Sequence, residues 1–478
     1  MKIFLTWNSS DPEIILSTLK GQSNKIVYWL ANRGEKYKPS ETIFHNLLDA
    51  LSGIPAKGID MSGFLPPGKD LIERLHKVES LILTMMNRAK TGKLQTDERK
   101  HLYYNMLQYW YGVLKKYKPD IIINQTIPHD ISSYLVYELG HLLNIKTIVL
   151  EDAETTDRTL IYTDFWQGSD NLHKELKKNQ DKNFSLKDLS NDLQEYYKLQ
   201  TDPNRNSAPN GTIVSMDIIR NRYSKSNSLV HRLKRLKKYL KEESLLKLIM
   251  QSINSRLEQN LKKEYKSIQI EPDFNKKFIY VALQVQPECT TSPQGDVFVD
   301  QVLMIETLSA SLPPGWIIYV KEHPIQWIRR GIRFFYYRYQ GYYKKIAELK
   351  NVQVIPVEIN TYTLINKSQA VATVTGTAAW EAILRSKPSL VFGYPWYRDC
   401  SEIFKVKDVE SCKNAFKKIA SGFVVNQQKI INYLKCFDNA TIHGYICPDL
   451  EKTSKLTKQE SLNNILQGIL LEIEKNNN

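Results

Sequence analysis

Four clusters in the second half of the chain set polar or basic side chains beside residues that stop a strand. "LQVQPE" carries Gln284, Gln286 and Glu288. "YVKEHP" carries Lys321, Glu322 and His323. "TVTGTAAWE" carries Thr375, Gly376, Thr377 and Glu381, and "FGYPWYRDC" carries Arg398 and Asp399 among aromatics. Each follows an apolar run of strand length and turns at Pro or Gly. A proline soon after a strand fixes φ and ends the ladder, so His323 is held at the strand tip, where an imidazole can donate to an anion or exchange protons. Gly376 lets the backbone approach a ligand. A helix with Thr377 as its N-cap turns N–H groups and a positive dipole end toward a phosphate. Glu381, four residues on, suits ribose or sugar hydroxyls. The Thr/Ser/Gly-rich stretch after Glu288 suits an anion or a sugar. This is not a P-loop, because G-x-x-x-x-G-K-[ST] is absent. The bland alternative is a set of ordinary strand-to-helix loops, with Glu381 placed near a helix start that favours its charge.

In the first half, polar groups also gather after apolar runs. Asn124, His129 and Asp130 follow "DIII", and Glu151 and Asp152 follow "TIVL". A carboxylate at a strand end can serve as a base toward a hydroxyl or as a nucleophile, and His129 is placed to position Asp130. The alternative for each carboxylate is loop solvation.

These clusters need elements to hold them. "KIFLTW" reads as a first strand. "KPDIIIN", then "ISSYLVYELGHLL", then "KTIVLED" reads as strand, helix, strand, the βαβ unit of a parallel sheet. From about 275, "KKFIYVALQV", "GWIIYVKEHP", "NVQVIPV", "AVATVTG" and "PSLVFG" alternate with helical stretches, which is a Rossmann-like pattern. In such sheets ligands bind beyond the carboxyl ends of the strands, which is where all four clusters fall. The chain divides into an N-terminal Rossmann-like domain over 1–165, a polar then basic helical insertion or linker over 166–270, a C-terminal Rossmann-like domain over 271–450, and a last helix over 451–478.

With 478 residues, 42% hydrophobic and 24% charged, the chain is globular and large enough for two or three cores. Its formal charge of +15 suits nucleic acid, an anionic membrane surface or a phosphorylated substrate, unless it reflects Lys-rich composition alone. Five cysteines, none in C-x-x-C spacing, argue against a disulfide framework or zinc ribbon and fit a reducing compartment. The N-terminus lacks the features of a signal peptide, and no run of about 18 apolar residues spans a membrane. The expected location is therefore cytoplasmic, with a peripheral membrane contact among the readings. The segment Ile328 to Lys345, "IRRGIRFFYYRYQGYYKK", is basic and dense in aromatics. That suits a membrane interface or a lipid-linked anionic glycan, or else packing between domains. Nucleic acid is disfavoured, because no RNA-binding motif accompanies it.

In order and spacing over residues 278–400, "LQVQPE", "VKEHP", "TGTAAWEAILRSKPSLVFG" and "WY" resemble the capsular-polysaccharide biosynthesis glycosyltransferases, a group that includes bacterial Kdo transferases using a CMP-activated sugar. "PHDISSYLVYELGHLLNIKT" is similar to their N-terminal domain. The resemblance implies a GT-B architecture, two Rossmann-like domains facing across a cleft, with the last helix crossing back to the first domain. It implies that the C-terminal domain binds the nucleotide-sugar donor through Gln286, Glu288, Lys321, His323, Thr375, Gly376, Thr377 and Glu381, with His323 on the donor phosphate. It implies that the N-terminal domain binds a glycan or glycolipid acceptor and supplies a catalytic carboxylate from Asp130, Glu151 or Asp152. His129, Arg329 and Arg330 are the acceptor-binding candidates. No Asp-x-Asp motif of the metal-dependent kind is read, so neither a metal nor another cofactor is expected. A sugar-nucleotide epimerase or hydrolase on the same fold, and a non-catalytic carbohydrate- or nucleic-acid-binding protein, are the other readings.

Overall fold

The computed structural model describes residues 1–8, 11–20, 24–32, 35–88, 91, 94–155, 157–202, 261–286, 291–324, 326 and 338–475. Glu288, Arg329 and Arg330, and most of the stretch read as a helical insertion, lie outside the described residues. Among the described residues no helix is long and apolar enough to cross a membrane.

The first sheet holds β1 (Lys2–Thr6), β2 (Lys25–Ala31), β3 (Ile43–Asn46), β4 (Ile121–Asn124), β5 (Lys146–Glu154), β6 (Asp157–Tyr162) and, from the far end of the chain, β13 (Ile442–His443). The second holds β7 (Phe278–Ala282), β8 (Ile317–Lys321), β9 (Val352–Val354), β10 (Ala370–Thr373), β11 (Ser389–Val391) and β12 (Ile403–Lys405). The first runs in the order β13-β6-β5-β4-β1-β2-β3, with β6 and β13 antiparallel at one edge. The second runs β12-β11-β10-β7-β8-β9, and every pairing is parallel. That second order is the doubly wound Rossmann order, 3-2-1-4-5-6 from its own first strand. The first sheet has the same 3-2-1-4-5 arrangement. Two such units in one chain are the GT-B fold class. The strands read as apolar runs because parallel sheets are covered on both faces, and all four residues of β4 are buried.

On one face of the first sheet, Phe4, Tyr28 and Ile122 pack with Trp110 and Tyr134 of the helices Thr96–Tyr117 and Ile131–Leu142. On the other face, Ile3, Leu5, Ile123 and Ile148 pack with Ile465, Leu466, Ile469 and Ile473 of the C-terminal helix Lys458–Glu474. Burying each such side chain is worth roughly 1.5–3 kcal/mol. The chain thus returns to its first domain, and it does so from β13 onward, ahead of the boundary at 450 read from sequence. β13 is two residues long in a polar setting, so no hydrophobic period announces it.

Residues 170–201 form the helices Asp170–Lys178 and Asn191–Thr201. They lie at the joint between the two units. The first packs on the helix Gln427–Ala440. Tyr196 on the second accepts from Trp380 Nε1 at 3.0 Å. Buried Arg158 of β6 pairs with Asp192 at 2.9 Å and with Asp438 at 2.8 Å, tying all three segments together.

Candidate active site

The strand order of the second sheet reverses between β7 and β10, and the crevice beyond their carboxyl ends is the ligand position of doubly wound sheets. Gln284, just past β7, closes it. Its Nε2 donates to Thr375 Oγ1 at 2.9 Å, and its Oε1 accepts from Thr375 N at 2.9 Å. Its backbone exchanges two further bonds with the Gln301 side chain, at 2.8 and 3.1 Å. The "LQVQPE" and "TGT" clusters are thus stitched directly to each other. Gly376 follows, with its N–H on Thr373 Oγ1 at 3.2 Å, and a Cβ there would lie 2.8 Å from that oxygen. Only glycine lets this turn approach so closely. Gly376, not Thr377, is the N-cap of the helix Thr377–Leu384; Thr377 is its first helical residue, and no side chain caps the helix.

Beside this crevice β8 ends at a buried charge network. Glu322 is 0% exposed and accepts from Arg338 Nε at 3.1 Å and from the Tyr343 hydroxyl. Arg338 also donates to Gln286 Oε1 at 2.8 Å and to Gln284 O at 3.0 Å. Gln286 in turn donates to Val299 O at 2.8 Å, so both ends of its amide are spent on holding the loop instead of a ligand. Arg338, Tyr342 and Tyr343 come from the basic aromatic segment read as suited to a membrane surface or a lipid-linked glycan, or else to packing between domains. Its described end is packed, in the core of the second domain, because a buried carboxylate needs a buried cation. Arg338→Met, which leaves Glu322 desolvated and unpaired, is expected to lose about 3–5 kcal/mol of stability. Adding Glu322→Gln to it should recover part of that loss, as read by chemical denaturation.

His323 comes next, its backbone N–H on Glu322 Oε1 at 2.8 Å. Burial lowers its imidazole from the usual range to about 4; Glu322 opposes the shift and Lys321 adds to it. The ring is therefore neutral at ordinary pH, a hydrogen-bond donor and not a cation. Lys321 points to the opposite face, as strand alternation requires. Its ammonium donates to Ile359 O at 2.8 Å and Thr361 Oγ1 at 2.7 Å, and burial lowers it to about 8 against the pull of Glu358. With those bonds made, Lys321 serves the loop before the helix Thr361–Lys367 and not a donor phosphate. Glu381, expected at a ribose, is 5% exposed, and its charge acts on Tyr280 and Arg385 inside the second domain.

The three carboxylates of the first domain have separate fates. Asp130 is the N-cap of Ile131–Leu142, accepting from Ser132 N at 3.0 Å, Ser133 N at 2.9 Å and Ser133 Oγ at 2.5 Å. His129 bonds Ile127 O through Nδ1 at 2.8 Å, which requires the Nδ1–H form. Asp152 accepts from Thr159 Oγ1 at 2.8 Å, Ile446 N at 2.9 Å and Cys447 N at 2.7 Å. Its carboxyl is raised by burial, with those bonds pulling the other way, and it fastens the returning tail. Glu151 alone turns to the other domain. Its Oε1 accepts from Gln294 Nε2 at 2.8 Å and its Oε2 from Tyr162 OH at 2.5 Å. Gln294, 1% exposed, also donates to Tyr394 O at 2.9 Å. It thereby clips the loops after β7 and β11 to the carboxylate across the cleft. Neither Gln294 nor Arg338 was legible as a site residue in the sequence. The single signal was the Thr/Ser/Gly-rich loop that contains Gln294.

No curated protein matches the chain. Among solved structures it is similar to KpsC of Thermosulfurimonas dismutans, beta Kdo 2,7 transferase, at 12% identity over 82% of this chain and 96% of that one, with a TM-score of 0.30. It is also similar to the UDP-GlcNAc 2-epimerase of Neisseria meningitidis bound to UDP-GlcNAc, at 12% identity over 91% and 94%, with a TM-score of 0.21. Residues 211–400 match the family model described as capsule polysaccharide biosynthesis protein, a span that holds Gln284, Gln294, His323, Arg338 and Thr375, and the resemblance carried by "LQVQPE", "KEHP" and "TGTAAWE" stands.

Proposed function

We propose that the protein transfers a sugar, Kdo or a related unit, from a CMP-activated donor to a growing surface polysaccharide or glycolipid, without a metal, at the cytoplasmic face of a membrane. One observation carries this reading. The crevice closed by Gln284 and Thr375 has His323 beside it and, across the cleft, a carboxylate joined to its own loop through Gln294. Breaking a glycosyl phosphate leaves negative charge on the departing nucleotide. Fixed donors at that phosphate stabilise it most in the transition state. Here the donors are the His323 ring N–H and the uncapped N-terminus of Thr377–Leu384, which carries the positive end of its helix dipole. Glu151 is the group toward the acceptor, acting as base on its hydroxyl or, with retention of configuration, as nucleophile.

The test is a thermal-shift panel of nucleotides. CMP is expected to raise the melting temperature more than UDP or GDP. Near 100-fold excess over the dissociation constant the stabilisation is about 2.7 kcal/mol. A larger shift with UDP would move the donor to another class, and no shift with any nucleotide would remove the donor site altogether.

A further inference from the structure

Ten large apolar side chains stand exposed among the described residues, and three of them, Leu48, Ile54 and Leu65, belong to one stretch after β3. Leu65 is the most exposed of the ten, at 81%. Single exposed leucines are ordinary, so what matters is whether these three share a surface. We infer that they form a docking surface for a bilayer containing anionic lipid, an inference that deepens the proposed function by naming the face that meets the membrane and rests on it for the choice of a bilayer over another apolar partner.

Hydrogen bonds bring the three together. Ile54 N donates to Asp49 O at 2.9 Å, which folds Ile54 back onto the helix Leu47–Leu51 that carries Leu48. Ala56 N donates to Tyr109 OH at 3.0 Å, and Gln108 Nε2 donates to Phe64 O at 2.5 Å. Residues 54–56 and 64–65 are thus pinned to neighbouring positions on the helix Thr96–Tyr117. Phe64 turns inward over Gly112, where an added Cβ would strike its ring, while Leu65 beside it turns out. Pro55 and Pro66 follow Ile54 and Leu65, are themselves exposed, and bias the residues before them toward extended backbone. The apolar side chains are therefore presented by a tied-down loop and not left out by a loose one.

Charge selects the occupant. Lys57 and Lys69 are exposed on the same stretch, and Lys115, Lys116 and Lys118 are exposed at the end of the helix beneath it. The Lys116 ammonium lies 5.8 Å from the centre of the Phe64 ring, so this helix end is part of the surface. With Arg74 and the acids Asp49, Asp60, Asp70 and Glu73 counted, the segments 47–74 and 115–118 hold six positive charges and four negative. Two of the acids are engaged locally. Asp60 accepts from Ser62 N at 2.9 Å and Ser62 Oγ at 2.8 Å, and Glu73 lies 3.6 Å from Lys69 Nζ. Apolar side chains within a rim of lysines suit the boundary between acyl chains and anionic headgroups. A second copy of the chain fits less well, because a two-fold contact would set the same cations against one another. The surface also begins in a useful place. The helix Leu47–Leu51 starts from Asn46, the carboxyl end of edge strand β3, at the rim of the domain that carries Glu151. A bilayer held there brings a lipid-linked acceptor to that domain.

The experiment is flotation of the full chain with vesicles of phosphatidylcholine alone and of phosphatidylcholine mixed with phosphatidylglycerol. Binding to the mixed vesicles is expected to be saturable, stronger than to the neutral ones, and weakened by salt. Leu65→Ser is expected to weaken it about tenfold, as withdrawing one leucine from an apolar phase predicts. Lys115→Glu together with Lys116→Glu should weaken binding to the mixed vesicles by at least as much and leave the neutral vesicles unaffected. These positions are exposed, so circular-dichroism melting should match the parent chain. Val424→Ser removes an apolar side chain that is 75% exposed elsewhere on the molecule, and it should change nothing. No binding to the mixed vesicles, undiminished binding in Leu65→Ser, or an equal loss in Val424→Ser would each overturn the inference. So would a dimer in sedimentation that Leu65→Ser dissolves, because a second copy would then be the occupant. Vesicle binding without any nucleotide shift would sink the proposed function and leave this surface standing. A nucleotide shift without vesicle binding would sink this surface alone.

Discussion

His323→Ala is expected to lower turnover by roughly 10²–10³-fold, the loss typical of one oxyanion donor, while the protein stays folded and CMP still shifts its melting temperature. The backbone at this position is held independently of the ring, because the N–H of residue 323 is bonded by the Glu322 carboxylate. Removing the imidazole therefore takes away a donor and leaves the strand end in place. The ring's pKa makes the prediction sharper. Burial lowers it to about 4, so the free enzyme carries a neutral His323 between pH 5 and 8. The profile of kcat/KM against pH should then show no limb in that interval that disappears in His323→Ala. In stability the sign is that of a buried neutral base. The unfolded chain takes up a proton near pH 6.5 and the folded chain only near 4, so this group costs stability as pH falls through that window and nothing above it. Near-normal turnover in His323→Ala would remove the phosphate-clamp assignment.

The neutral state of His323 follows from its burial, beside a charge network that sequence reading saw only in part. Strands β1, β4, β5 and β7 to β11 were legible because each is an apolar run of the right length closed by Pro, Gly or a polar cluster, whereas β3, β6, β12 and β13 were not read. The doubly wound order followed from their alternation with helices. The crevice was legible as well, since "LQVQPE" and "TGT" fall at the ends of β7 and β10, where a parallel sheet must place its loops. The partner of Glu322 was not. Arg338 lies 16 residues further on, within a run of Arg and Tyr whose composition fits a surface. Composition cannot report that one of those cations is drawn into the core by a particular carboxylate. Lys321 failed for a related reason. Alternation correctly set it opposite Glu322, but nothing local indicated the carbonyl of Ile359 waiting on that side. The three first-domain carboxylates were equivalent in sequence because all follow strands. Asp130 and Asp152 are separated from Glu151 only by what comes to meet them. For Asp130 that is the N–H groups of its own helix, and for Asp152 it is backbone from a tail about 300 residues away.

Glu151→Gln follows from that separation and should be the most damaging of the three carboxylate changes. Loss of a positioned base typically costs about 10²–10⁴-fold, and loss of a nucleophile is at least as severe. The substitution keeps the shape of the side chain. Its amide oxygen can still accept from Gln294 or from Tyr162, so the melting temperature should change little and the nucleotide shift should persist. Asp130→Asn keeps a good N-cap and is expected to alter stability by well under the ~1 kcal/mol of a full cap loss, with turnover nearly intact. Asp152→Asn weakens charge-assisted bonds to Ile446 and Cys447 and should loosen the tail, appearing as lower stability at unchanged turnover. The three variants together therefore separate chemistry from anchoring. A severe turnover loss in Asp130→Asn beside an active Glu151→Gln would transfer the catalytic role to the helix cap. In that case the Glu151–Gln294 contact would be left as a clasp between the domains.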